Sequence, residues 1–317
     1  MTVRSARATL DAIRDRCALP VIVAPMFLVS GPRLVIEACK AGVPASFPTL
    51  NARPEATLEA WLTEITGELS QHPGAAPWIP NLILHPSNPR AAIDVEIVLR
   101  HRPEIVITAL GKPIAVAEQV HGYGGLVFSD VNSVRFAKIA LDSGADGLVL
   151  VCAGAGGHTG FLSPFAFVSA VREFFDGPLV VGGGLMNGRD ARAVEILGAD
   201  FAYMGTRFIA TPESLASDAY RQMLVDSTAE DIVLSDKFTG VPANYLKPSI
   251  VAAGIDLATF DRRTSVSIDQ RDESKAWRDI WSAGQGVGAV TRVEPVADIV
   301  TRLRGEYAGA TGRHDRA

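Results

Sequence analysis

A chain of 317 residues with 48% hydrophobic and 21% charged side chains can bury a large core, which excludes an intrinsically disordered protein. Lys plus Arg number 30 against 35 Asp plus Glu, and the net charge of −5 leaves no basic face dense enough to expect nucleic acid as a partner. Nowhere do 18 apolar residues run uninterrupted, so no membrane span is expected, and Cys17, Cys39 and Cys152, too far apart for a zinc-type cluster, read as reduced thiols of a cytoplasmic protein without a metal site.

Residues 1–19 form an N-terminal segment in which Arg4, Arg7, Arg14 and Arg16 interrupt the apolar positions, so a signal peptide is not expected. From Pro20 onward one beat repeats. Short β-branched runs begin near residues 20, 43, 78, 105, 125, 147, 179 and 201. Helical patterns separate them: Arg33 to Ala41, Glu55 to Leu69, Pro89 to His101, Ile114 to His121, Val134 to Ser143, Pro164 to Phe175 and Arg189 to Leu197. Eight apolar strands alternating with helices predict an α/β fold, a parallel (β/α)8 TIM barrel over residues 20–215. A doubly wound open sheet suits so even a repeat less well. Residues 216–317 read as a mostly helical and irregular C-terminal extension of the same domain, packed over the barrel mouth. Within it Leu234 to Gly254 is expected to be a covering loop, and Gly309 to Ala317 to fray.

In a barrel of this kind the loops after the strands face the active site. Strand one ends in Ala24-Pro25-Met26, a rigid proline beside a soft thioether that suits the edge of a planar ring. Strand three carries Asn81 in an apolar run, and a buried carboxamide needs a partner. Strand five closes with Ser129-Asp130, where Asp130 either holds a ligand hydroxyl or caps the helix that follows. Strand six runs into Cys152-Ala153-Gly154-Ala155-Gly156-Gly157-His158, and His158 is the only titratable group there besides a cysteine that reads as buried filler. Gly182-Gly183-Gly184 after strand seven and Met204-Gly205-Thr206-Arg207 after strand eight offer bare amides where this fold often binds phosphate. Gln285, in the glycine-rich run Trp281 to Gly288, is placed to close one side of the pocket, and Tyr123 and Phe27 are candidates to border substrate.

These motifs, in this order over residues 20–290, resemble the nitronate monooxygenase family, formerly called 2-nitropropane dioxygenases. The resemblance implies a barrel that binds FMN without covalent attachment. Gly183, Gly184, Gly205 and Thr206 would hold its phosphate, Pro25 and Met26 would lie against the ring, Asn81 would contact the flavin or its ribityl chain, and Gly156 would pass close by. Ala24, Ser129, Met204 and Gln285 complete the expected cofactor set, and His158 matches the family's catalytic histidine. The implied reaction is the oxidation of alkyl nitronates with O2 to carbonyl compounds and nitrite.

The family pattern Gln-Gly-x-Glu-Ala-Gly-Gly-His has Val151 here at its glutamine and Gly154 at its glutamate. The same barrel also resembles FMN enoyl reductases and quinone reductases that take hydride from NAD(P)H, with a CoA-thioester or similar substrate. An FMN-free phosphate-sugar isomerase or synthase would need carboxylates or lysines at the strand ends, and Asp130 alone suits. A small-molecule substrate with O2 or NAD(P)H is therefore expected. A homo-oligomer is neither required nor excluded.

Overall fold

The structure, a computed structural model, describes residues 2–256 and 280–310. Eight parallel strands close a barrel: β1 Val21–Val23, β2 Ala45–Pro48, β3 Trp78–Ile83, β4 Ile105–Ala109, β5 Leu126–Val131, β6 Gly147–Val151, β8 Leu179–Gly182 and β9 Phe201–Met204, with β9 pairing back to β1. Strand β7, Gly157–His158, lies outside the barrel.

Strand parity divides the core in two. Ile22, Ile79, Ile107, Phe128, Val149, Val180 and Phe201 fill the barrel interior. Val23, Phe47, Leu82, Val106, Val127, Leu150, Val181 and Met204 face outward and pack under the helices. Those helices are α2 Pro32–Lys40, α3 Glu55–Ser70, α4 Ala91–Arg100, α5 Ile114–Gly122, α6 Val134–Asp142, α7 Pro164–Arg172 and α8 Gly188–Ile196.

The ends of the chain depart from the sequence expectation in instructive ways. Residues 3–14 form helix α1, Val3–Arg14, with Thr2 as its N-cap. Ala6, Leu10 and Ile13 lie at helical spacing and join the interior cluster, so the arginines that break up the apolar run point away and the helix plugs the barrel floor. Strand β9 is followed by one turn, α9 Thr206–Ile209, and then by α10 Asp218–Asp226, which does not take the eighth position of the ring. That position belongs to α12, Val296–Ala308, which packs on α8 and α2 through Val296, Ile299, Val300 and Leu303. A buried carboxylate holds this arrangement: Glu294 pairs with Arg207 on α9 and with Arg292 and Arg302.

The segment expected to be a covering loop is instead a hairpin, β10 Ile232–Ser235 and β11 Ala243–Leu246, followed by α11 Lys247–Ala252. Its Pro and Gly residues lie in or beside the turn, whereas Ile232, Val233, Ala243, Tyr245 and Leu246 have the side chains a strand requires. Strand β11 also pairs with β7, which fastens the hairpin to the loop after β6. Residues 311–317, where fraying is expected, lie outside the described residues. Among the described residues no helix is long and apolar enough to cross a membrane.

Candidate active site at the barrel mouth

The loop after β6 is shaped by what surrounds it. Gly154 has φ +89°, and a Cβ there would stand 3.0 Å from the Gln285 Oε1 atom. A side chain at Gly156 would begin 2.7 Å from the Gly284 backbone nitrogen. The close approach that requires glycine at position 156 is therefore made by the C-terminal glycine run. Gln285 N–H donates to the Gly154 carbonyl (2.9 Å), Gly284 N–H to the Thr206 hydroxyl (2.8 Å), and the Asn244 carboxamide to the Ala155 carbonyl (2.7 Å). Trp281 stacks on Tyr220 of α10 at 4.9 Å, and the Tyr220 hydroxyl donates to the Ser282 carbonyl (2.5 Å), so the run is held at both the ring and the backbone. It joins the loop after β6 to the start of α9. The Gln285 carboxamide would have to give way slightly to a side chain at position 154, and the positive φ there disfavours any side chain, the glutamate of the family pattern included.

His158 ends β7 opposite Ala243 of the hairpin, half-buried, with Nε2 3.2 Å from the Thr239 hydroxyl. Burial holds its proton affinity below the ordinary imidazole value. The ring is thus neutral at pH 7, as a proton acceptor must be.

Across the mouth, Gly183, Gly184, Gly205 and Thr206 stand at the adjacent ends of β8 and β9. None of their four N–H groups donates to an acceptor among the described residues. Gly184 has φ +72°, a conformation that other residues adopt only at a cost, and open space around its missing side chain. Four unspent donors beside a helix start are suited to an anionic oxygen cluster such as a phosphate. A Cβ on Gly205 would lie 3.5 Å from the Met26 thioether sulfur and 3.6 Å from the Ala24 Cβ, which places the strand-one turn beside this cradle. Asn51 fixes that turn: it donates to the Met26 and Ser30 carbonyls (2.9 and 2.8 Å) and accepts from Leu28 N–H (2.9 Å). Leu28 takes a positive φ of 60° within it. Sequence reading missed Asn51, whose polar place three residues after β2 was its only signal.

Inside the barrel, Asn81 Nδ2 donates to Asp130 Oδ2 at 3.1 Å. Both side chains project inward, two residues beyond Ile79 and Phe128. Burial pushes the Asp130 carboxyl up to about 7, and the bond from Asn81 offsets part of that rise. Asp130 does not cap the next helix; the Ser133 hydroxyl does, accepting from Phe136 N–H.

Ala24, Met26, Asn81, Gly156, His158, Gly183, Gly184, Gly205, Thr206 and Gln285 thus gather at the mouth, with Pro25 in the turn between Ala24 and Met26. Two expected residues do not bring their side chains there. Ser129 faces the helices and its hydroxyl bonds Thr108 at 2.8 Å; the Met204 side chain is buried in the helix-facing core, and only its carbonyl reaches the turn, accepting from Ala24 N–H. Parity explains both, since each neighbours an inward residue, Asp130 and Tyr203. Tyr123 is the C-cap of α5 and so lies at the floor end of the barrel, away from the mouth. Phe27 is stacked under Arg53 at 5.3 Å. Cys152 is fully buried in the helix-facing core, where burial pushes its thiol up to about 12.

Residues 84–306 match the family described as nitronate monooxygenase. A (3aS,4S,5R,7aS)-5-hydroxy-7a-methyl-1-oxo-octahydro-1H-indene-4-carboxyl-CoA dehydrogenase from Rhodococcus jostii is 28% identical over 79% of this chain and 67% of its own length. A nitronate monooxygenase from Paraburkholderia phytofirmans is 24% identical over 90% of this chain and 92% of its own. Among solved structures, the nitroalkane oxidase of Streptomyces ansochromogenes superposes with a TM-score of 0.80 at 22% identity, covering 94% of this chain and 98% of that one, a likeness of fold.

Proposed function

Because the chain belongs to the nitronate monooxygenase family, we propose that it binds FMN at the barrel mouth and oxidises alkyl nitronates with O2 to carbonyl compounds and nitrite. The observation that carries this reading is the pairing of four unspent amides at the ends of β8 and β9 with a half-buried, neutral His158 on the facing loop. The amides of Gly183, Gly184, Gly205 and Thr206 would hold the phosphate, and Ala24, Pro25 and Met26 would line the ring. FMN would supply the electron-accepting chemistry.

The protein's share is orientation and proton handling. His158 takes a proton at a ring nitrogen when a neutral nitroalkane is the substrate, and donates a hydrogen bond to the nitro oxygens when the nitronate anion is. Thr239 restrains the ring at Nε2. The hairpin and the glycine run screen the site from water, which strengthens both interactions. Free thiols at Cys17, Cys39 and Cys152 suit a reducing cytoplasm.

One feature supports a second reading, reduction or dehydrogenation of a CoA thioester. Val151 and Gly154 replace the polar pair of the family pattern, and the dehydrogenase noted above acts on a carboxyl-CoA. Oxygen uptake with an alkyl nitronate, run beside anaerobic mixing with NADH and NADPH, separates the two. Uptake with nitrite release supports the monooxygenase, whereas rapid flavin bleaching by NAD(P)H without uptake supports the reductase.

A further inference from the structure

One arc of the mouth rim is apolar and uncovered. Leu110 directly follows β4 and Ile114 opens α5; Phe136 lies in the first turn of α6; Phe161 stands between β7 and α7, and Phe165 in the first turn of α7. Each is more than half exposed, and Phe161 reaches 92%. They belong to the connections after β4, β5 and β6, three neighbouring strands, so they occupy consecutive positions around the same end of the barrel. Apolar side chains scattered singly over a surface need no explanation, whereas a run of them along one rim does.

The charge on this arc is equally one-sided. Residues 110–117, 131–138 and 152–169 contain no Asp or Glu, although the chain as a whole carries a net charge of −5. Lys112 and Arg135 are exposed within them, and neither forms an ion pair among the described residues. Lys138 is engaged elsewhere, over the Phe174 ring at 4.9 Å. Whatever covers the arc must therefore be anionic and must accept apolar groups. A second copy of the chain fits badly, because two-fold pairing of one patch with itself sets cations against cations. A folded partner would need a pocket for Phe161, whose ring stands almost free of its own chain. A lipid surface needs none: it takes protruding apolar groups at the headgroup–acyl boundary and supplies the negative charge.

We propose that the barrel mouth docks on anionic lipid bilayers through this arc, with Phe161, Phe165, Phe136, Ile114 and Leu110 entering the interface and Lys112 and Arg135 meeting the headgroup phosphates. The contact is peripheral and requires no membrane span. Phe161 follows His158 by three residues, so the docked face is the one that bears the candidate site. The proposal is independent of the cofactor and of the reaction.

The test is co-flotation of the purified protein with vesicles of phosphatidylcholine alone and of phosphatidylcholine with about 30% phosphatidylglycerol, each at about 0.02 and about 0.5 M salt. The protein should float with the anionic vesicles at low salt, with an affinity at least about tenfold weaker for neutral vesicles or at high salt. Phe161→Ser combined with Phe165→Ser should weaken binding to anionic vesicles by at least about tenfold. Lys112→Gln combined with Arg135→Gln should weaken it by about 25-fold, at about fivefold per cation, and flatten its salt dependence. All four side chains are exposed, so both variants should melt with the wild type, which separates docking from folding. Absence of binding to the anionic vesicles, or binding that either double variant leaves unchanged, overturns the proposal. A dimer in solution that the phenylalanine substitutions dissociate would also overturn it and assign the arc to a second copy of the chain.

Discussion

Replacing Gly205 with valine should separate folding from cofactor binding. Gly205 has φ −103°, a value any residue adopts, and a Cβ there meets Met26 at 3.5 Å and Ala24 at 3.6 Å, which are ordinary contacts. The unliganded fold should therefore accept the side chain, and loss of glycine's freedom in the unfolded chain should stabilise it by about 0.4–1 kcal/mol. The same methyl groups occupy the space between the strand-one turn and the amides of Gly205 and Thr206. Hydrogen bonds to a charged group contribute about 1.5–3 kcal/mol each, so loss of two costs at least about 3 kcal/mol, on the order of a 150-fold rise in the FMN dissociation constant. Calorimetry of the apoprotein and fluorescence titration with FMN give the two quantities. A Gly205→Val protein that melts like the wild type and binds FMN as tightly would refute the cradle. At Gly184, by contrast, φ +72° predicts a folding penalty of about 1–2 kcal/mol for any L side chain in addition to the binding loss.

Other positions give independent checks. His158→Asn should retain bound flavin while lowering turnover by about two to four orders of magnitude, measured as kcat beside flavin content. Since burial lowers His158's value, kcat/KM for a neutral nitroalkane should be flat above about pH 6.5 and decline only below it; an acidic limb centred above pH 7 would contradict a neutral imidazole base. Asn51→Ala removes three hydrogen bonds from the 26–30 turn and should cost about 2–3 kcal/mol, read as a lower denaturation midpoint with weakened flavin binding. Glu294→Ala leaves the Arg207 guanidinium buried without its carboxylate; a loss of about 3–5 kcal/mol is expected, visible as a drop of about 4–8 °C in Tm.

The eight strands were legible because each is a short apolar run bounded by proline, glycine or a helix, and each lies within two residues of its expected start. The eighth helix was not, because the chain makes it last: residues 210–295 intervene between α9 and α12, and nothing local tells Val296–Ala308 that its apolar face fits between α8 and α2. Helix α1 carried its signal in Ala6, Leu10 and Ile13, obscured by the arginines between them. The hairpin at 232–246 was concealed by its own turn, and its attachment to Gly157–His158 is a long-range pairing that composition cannot encode. At the site, the glycine loops and His158 were evident from residue type. Their partners were not: Gln285 against Gly154, Gly284 against Thr206 and Asn81 against Asp130 join residues 49 to 131 positions apart. Strand parity alone could have separated Asp130 from Ser129 and Tyr203 from Met204, since Phe128 and Phe201 mark the inward face.

The most direct test of the central claim is oxygen consumption by the flavin-loaded protein with an alkyl nitronate, with nitrite and carbonyl product measured in the same sample. Saturable O2 uptake matched by nitrite release, and lost in His158→Asn, is the expected result. No uptake, together with rapid bleaching of the flavin by NADH or NADPH under anaerobic conditions, would contradict it and assign the barrel to reduction instead.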